Sequence, residues 1–125
     1  LHDAPLAGMH VLVMEDEFLI AMDVEELCRE HGAADVTIVR RLDELGGRSI
    51  EQEVNVAILD VMLGGTSTTD FARTLTQHRI PFVFATGYTD FEEHVDAGVE
   101  VVGKPYSAAE LIAALERAMA RSNKG

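Results

Sequence analysis

His10-Val11-Leu12-Val13-Met14-Glu15-Asp16-Glu17 is an almost continuous apolar run that stops abruptly on three acids. A short run without alternation is the pattern of a strand buried on both faces, as in a parallel sheet. Four further runs follow. Val36-Thr37-Ile38-Val39 reads as a second strand, and Val54 to Leu59 as a third that ends at Asp60. Pro81-Phe82-Val83-Phe84-Ala85 reads as a fourth, with Thr86-Gly87 at its end, and Val99 to Val102 as a fifth that ends at Lys104-Pro105.

Helix-like stretches separate these runs. From Phe18 to Glu30, Ile20, Val24, Leu27 and Cys28 recur at helical spacing opposite Asp23, Glu26 and Glu30, and Gly32 supplies the stop. Leu42 to about Glu53 predicts a weaker helix interrupted by Gly46-Gly47. Gly64-Gly65 opens a loop before a helix with Phe71, Ala72 and Leu75 inward, for which Thr68 or Thr69 is the candidate cap. A short, poorly patterned helix is expected around Asp90 to Asp96. Ser107-Ala108-Ala109-Glu110 has the form of a capping box and starts a last helix with Leu111, Leu115, Ala118 and Met119 inward.

The alternation predicts an α/β fold, a doubly wound five-stranded parallel sheet with helices on both faces. Right-handed crossovers around a central first strand give the order 2-1-3-4-5, the flavodoxin-like arrangement. With 125 residues, 47% of them hydrophobic, the chain builds one core. The expected division is a lead-in at 1–8, one domain at 9–121 and a frayed tail at 122–125.

The net charge of −12 argues against a nucleic-acid duplex or an anionic membrane surface as partner. Residues 1–60 hold 14 acids and 4 bases, so the negative charge concentrates in the first half. No apolar run approaches the length of a spanning helix, and LHDAPLAGMH lacks the layout of a signal peptide, so a cytoplasmic location is expected. The lone Cys28 suits a reducing compartment and reads as a small apolar helix residue. The histidines His2, His10, His31, His78 and His94 show no paired ligand spacing and read as surface or loop residues.

In a sheet of this order, ligands bind beyond the carboxyl ends of the strands, at the switch point between the first and third. Glu15, Asp16, Asp60, Thr86 and Lys104 all fall at strand ends and form one predicted site. Three neighbouring carboxylates repel one another unless a cation intervenes, and Mg²⁺ suits such oxygen ligands while leaving positions for a phosphoryl group. Asp60 is then the candidate nucleophile, Lys104 neutralises charge on the transferring oxygens, and Thr86 donates a hydrogen bond to one of them.

From Met9 to Ala120 the chain resembles the receiver domain of two-component response regulators, which are CheY-like. The resemblance rests on Val11-Leu12-Val13-Met14-Glu15-Asp16-Glu17, Ala57-Ile58-Leu59-Asp60-Val61-Met62, Phe84-Ala85-Thr86-Gly87-Tyr88 and Gly103-Lys104-Pro105-Tyr106. It implies that Asp60 accepts a phosphoryl group from a histidine kinase or histidine phosphotransfer domain. Glu15 and Asp16 would be the acidic pair that holds Mg²⁺ with Asp60, and Met62 would lend a backbone carbonyl. It also implies a cis bond before Pro105. Such a protein is a phospho-acceptor rather than an enzyme, limited to self-phosphorylation from small donors and self-dephosphorylation. Both a stand-alone receiver and the receiver of a hybrid sensor kinase fit the length.

The family's usual aromatic switch residue is replaced here by Val101. Phe84-Ala85-Thr86-Gly87-Tyr88 is instead similar to the subgroup nicknamed FAT GUY, in which the loop after the fourth strand carries the switch. Thr86, Gly87, Tyr88 and Val101 are therefore the expected switch positions, and Gly87 would give that loop backbone freedom. Met62 and Tyr88 would flank the path of hydrolytic water, and their bulk predicts slow self-dephosphorylation. Partner contacts are expected at the acidic rim and the first helix, with output or dimerisation on helix four, strand five and helix five.

Competing readings fit less well. A dinucleotide-binding domain needs glycines where Glu15-Asp16-Glu17 stand. A haloacid-dehalogenase-like phosphatase wants a second acid two residues after Asp60, where Met62 is found. A degenerate receiver serving only as a phosphorylation-independent interaction module remains the alternative.

Overall fold

The computed structural model describes residues 4–87 and 99–124. Strands β1 (His10–Met14), β2 (Asp35–Val39), β3 (Val56–Asp60), β6 (Phe82–Thr86) and β7 (Glu100–Gly103) form a five-stranded sheet in the order β2-β1-β3-β6-β7. Every pairing in it is parallel. This is the expected 2-1-3-4-5 order, with β6 and β7 as the fourth and fifth main strands. The predicted helix at Asp90–Asp96, together with Tyr88, lies outside the described residues.

Alternation along each strand sorts the core into two layers. Val11, Val13, Ile58, Val83 and Ala85 face helices α1 (Phe18–Glu30) and α3 (Ala108–Lys124), which supply Val24, Cys28, Leu111, Leu115 and Ala118. Leu12, Met14, Leu59 and Phe84 face the other way, towards Ile50, Ile80 and helix α2 (Thr69–Gln77), which supplies Ala72 and Leu75. Cys28 is fully buried as expected, and burial pushes its thiol up to about 12. At the start of α3 the Ser107 hydroxyl accepts from Glu110 N–H at 3.1 Å and the Glu110 carboxylate accepts from Ser107 N–H at 3.3 Å, completing the capping box.

Several expectations are corrected. Residues 42–53 form no α-helix but two short 3₁₀ turns, Leu42–Leu45 and Ile50–Gln52. Gly46 and Gly47, at φ +52° and +83°, take the backbone out of the helical region between them. The Gly64-Gly65 loop is the turn of a small hairpin, β4 (Met62–Leu63) against β5 (Thr66–Ser67). Thr68 makes no side-chain cap to α2. The tail beyond Arg121 is not frayed: α3 runs to Lys124, and Ser122 Oγ donates to the Arg79 carbonyl at 2.9 Å.

The lead-in is part of the fold. Leu6 is fully buried, its N–H donates to His31 O at 2.9 Å, and Gly8 N–H donates to Gly32 O at 3.2 Å. Gly32 sits at φ +99°, where a Cβ would come within 3.0 Å of Ala4 and Ala7, so the turn after α1 needs a glycine for conformation and for space.

Candidate functional site

The carboxyl ends of β1, β3, β6 and β7 deliver the predicted residues to one place. Glu15 follows β1, Asp60 closes β3, Thr86 closes β6 and Lys104 follows β7. Register aligns them. Asp60 pairs with Ala85, Thr86 pairs with Gly103, and Lys104 N–H donates to the Thr86 carbonyl at 2.8 Å. Glu15, Asp60 and Thr86 are buried, and Asp16 is half-buried at the rim.

Each of Glu15, Asp16 and Asp60 offers a carboxylate oxygen within 4.8 Å of those of the other two. Lys104 Nζ bridges two of them, 2.6 Å from Glu15 Oε1 and 3.0 Å from Asp60 Oδ2. A backbone donor reaches one oxygen of each acid. Glu17 N–H donates to Glu15 Oε2 at 3.1 Å, Met62 N–H to Asp60 Oδ1 at 3.3 Å, and Gly64 N–H to Asp16 Oδ2 at 3.1 Å. The hairpin that replaces the expected loop thus brings a donor to each of two acids.

Burial raises the Glu15 carboxyl above the usual range, with the Asp60 charge adding to it, against the lowering effect of Lys104 and Glu17 N–H. Burial alone would lower the Lys104 ammonium, but its bonds to Glu15 and Asp60 outweigh that and hold it above its ordinary value. Burial also pushes the Tyr106 phenol up to about 12. A hard divalent cation fits this donor set, because an all-oxygen cluster with more carboxylates than cations is what such an ion stabilises.

Three of the expected switch positions, Thr86, Gly87 and Val101, are among the described residues. Thr86 and Gly87 are adjacent at the site, whereas Val101 lies within β7 opposite Phe84, half-buried against the α2 layer. Gly87 stays out of the left-handed region, and a Cβ there would meet Lys104 Cβ at 3.9 Å, an ordinary contact, so this conformation does not demand a glycine. The Lys104-Pro105 bond is cis, as the resemblance implied.

Two neighbours went unpredicted in these roles. Thr68, fully buried, places Oγ1 2.6 Å from the Asp60 carbonyl and 3.1 Å from that of Val61, tying the hairpin's far end to β3. Arg40, just past β2, donates from Nη2 to the Asp16 carbonyl at 3.3 Å. A base following an apolar strand in an acid-rich half was the signal for the second; the first had none beyond its type.

The family described as response regulator receiver domain matches residues 11–116. The chain belongs to that family. This receiver domain is 34% identical over 122 residues to the transcriptional regulatory protein PdtaR of Mycobacterium tuberculosis, covering 89% of this chain and 57% of that protein. It is similar to the solved structure of SdrG from Sphingomonas melonis Fr1, at 31% identity and TM-score 0.68, covering 93% of this chain and 98% of that one. It is also similar to the anti-anti-sigma factor PhyR from Bartonella quintana, at 27% identity and TM-score 0.74, covering 94% of this chain and 49% of that one. The chain thus spans about half the length of PdtaR and PhyR. Receiver domains generally use Mg²⁺ at an acidic pocket, and the Glu15, Asp16 and Asp60 cluster is a pocket of that kind. No helix among the described residues is long and apolar enough to cross a membrane.

Proposed function

We propose that this receiver accepts a phosphoryl group from a phosphohistidine onto Asp60 and thereby controls partner binding in a cytoplasmic phosphorelay. The observation that carries the reading is the buried Asp60 carboxylate at a strand end, with Lys104 Nζ at 3.0 Å and two further carboxylates within 4.8 Å. An Asp60 oxygen attacks phosphorus, the P–N bond to the donor imidazole breaks, and its electron pair stays on the ring nitrogen. The product is an acyl phosphate. Glu15, Asp16, Asp60 and the Met62 carbonyl would hold Mg²⁺, which when bound supplies positive charge beside the transferring oxygens. Lys104 neutralises charge on the same group and Thr86 donates to it. A phosphoryl group on Asp60 changes what both residues contact, and Thr86, Gly87, Tyr88 and Val101 would pass that change outward.

Surface chemistry supports a protein donor, either a histidine kinase or a histidine phosphotransfer domain. Phe18, Leu19 and Met22 are exposed on α1, next to the acidic turn. A cleft of about 640 Å³ runs between α1 and the segment after β7, lined by Ile20, Val24, Leu27, Lys104 and Tyr106. Apolar surface beside a reactive centre is what a docking helix would cover. The proposed dimer face on helix four, β7 and α3 falls partly outside the described residues.

Intact-mass analysis after incubation with a small acyl-phosphate donor, with and without Mg²⁺, tests the reading. The expected result is a Mg²⁺-dependent phosphoryl adduct on wild type and complete loss of it in Asp60→Asn. No adduct and no Mg²⁺ binding would overturn it in favour of a phosphorylation-independent interaction module.

A further inference from the structure

The turn Glu15-Asp16-Glu17 carries three consecutive acids between β1 and α1, and like charges so close push the turn open. Glu17, the N-cap of α1, makes no side-chain cap bond, so the usual device that fixes a helix entry is missing. Arg40 comes from the neighbouring strand's end and reaches across this turn. Its guanidinium donates to the Asp16 carbonyl at 3.3 Å and lies 5.6 Å from the centroid of the Phe18 ring, over the first residue of α1. The arm is itself anchored, because the Glu44 carboxylate accepts from Arg40 N–H at 2.6 Å and Arg41 N–H at 3.2 Å.

We propose that Arg40, stacked on Phe18, is a positioning residue for Asp16, clamping the acidic turn so that the Asp16 carboxylate is presented to the divalent cation. The inference rests on the Mg²⁺ reading above. Gly64 N–H fixes the carboxylate end of Asp16 and Arg40 fixes its backbone end, so the residue is held at two points. Outer contacts of this kind orient metal ligands and carry a measurable share of metal affinity. A planar guanidinium suits the task, since it stacks on a ring and donates in its own plane at once, which an ammonium cannot do.

The experiment is calorimetric titration of Mg²⁺ into wild type, Phe18→Ala, Arg40→Lys, Arg40→Gln, the Phe18→Ala/Arg40→Lys double variant and Asp60→Asn, with melting in chelator as the fold control. Phe18→Ala and Arg40→Lys leave the charge unchanged, so each should weaken Mg²⁺ by about threefold to tenfold, at or below the lower end of typical outer-shell effects. The double variant should be no weaker than the weaker single one, because both remove the same clamp. Melting in chelator should stay at the wild-type value. Arg40→Gln that tightens Mg²⁺ while Phe18→Ala leaves it unchanged would overturn the proposal, making Arg40 only a nearby positive charge. Weakening that tracks a falling melting temperature would overturn it in favour of a structural role. Wild type that binds Mg²⁺ alongside unaltered variants defeats the clamp alone; wild type that binds none, like Asp60→Asn, defeats the metal reading and the clamp together.

Discussion

The two poles of the sheet each set largely covered acids against cations, with opposite balance. At the amino pole Glu100 opens β7 with its side chain 10% exposed, and two arginines, Arg117 and Arg121, each reach one of its oxygens at 2.8 Å. At the carboxyl pole Glu15 and Asp60, with side chains 4% and 9% exposed, share the single ammonium of Lys104, and Asp16 adds a third negative charge. One pole is satisfied by the chain's own groups and the other is short of positive charge. A largely covered carboxylate is therefore no mark of function in itself; an excess of carboxylates at one covered site is, because something from outside has to offset it.

Removing Lys104 should have the largest effect. Lys104→Met leaves Glu15 and Asp60 facing one another without a cation, and in chelator it should destabilise the fold by about 3 kcal/mol, the lower end for breaking a buried pair. Saturating Mg²⁺ should recover part of that, since a ligand that binds only the native state stabilises it. Denaturant titration with and without Mg²⁺ measures both. A variant as stable as wild type in chelator would erase the contrast between the poles.

Glu100→Gln probes the satisfied pole and should cost less. Arg117 and Arg121 are about half exposed and can return to water, so the loss is that of charge-assisted hydrogen bonds, about 1 kcal/mol. Mg²⁺ affinity by calorimetry should not change. A shift in it would mean that the poles are coupled through β7.

Much of this contrast was legible in the sequence at one pole and little at the other. Glu15, Asp60, Thr86 and Lys104 end apolar runs, and parallel topology gathers strand ends without any knowledge of loops. α1 also runs from Phe18 to Glu30 as its periodicity predicts. Glu100 gave no such signal, because its partners lie 17 and 21 residues ahead on a helix whose phase had to be known first. The ordering of α3 past Arg121 and the burial of Leu6 were hidden likewise, each depending on a distant backbone carbonyl, that of Arg79 or His31. Where local backbone rules intervened, periodicity failed. Gly46-Gly47 split the expected helix, and Thr68, offered with Thr69 as a cap by residue type, turns its hydroxyl to the Asp60 carbonyl because the hairpin puts that acceptor within reach.

Glu15→Gln should have the smallest effect on stability and the most informative sign. Burial, with help from Asp60, raises the Glu15 carboxyl above 4.5 despite the Lys104 bond, so ionised Glu15 costs the native state stability at neutral pH. A neutral amide of the same shape removes that cost, and in chelator at pH 7 the variant should be more stable than wild type by about 0.5 kcal/mol, the scale of a change that removes no packing. The sign follows from linkage: a raised folded-state value means stability that is present below the unfolded value and lost as pH rises through the folded one. The variant's advantage should therefore shrink as pH falls through the raised value and vanish below 4.5, where Glu15 is protonated in both states. Saturating Mg²⁺ at pH 7 should reverse the order, because wild type then has a cation to offset the excess and the variant has lost a ligand. Wild type more stable than Glu15→Gln in chelator would mean that one ammonium suffices for both carboxylates, which would make the carboxyl pole as self-sufficient as the amino pole.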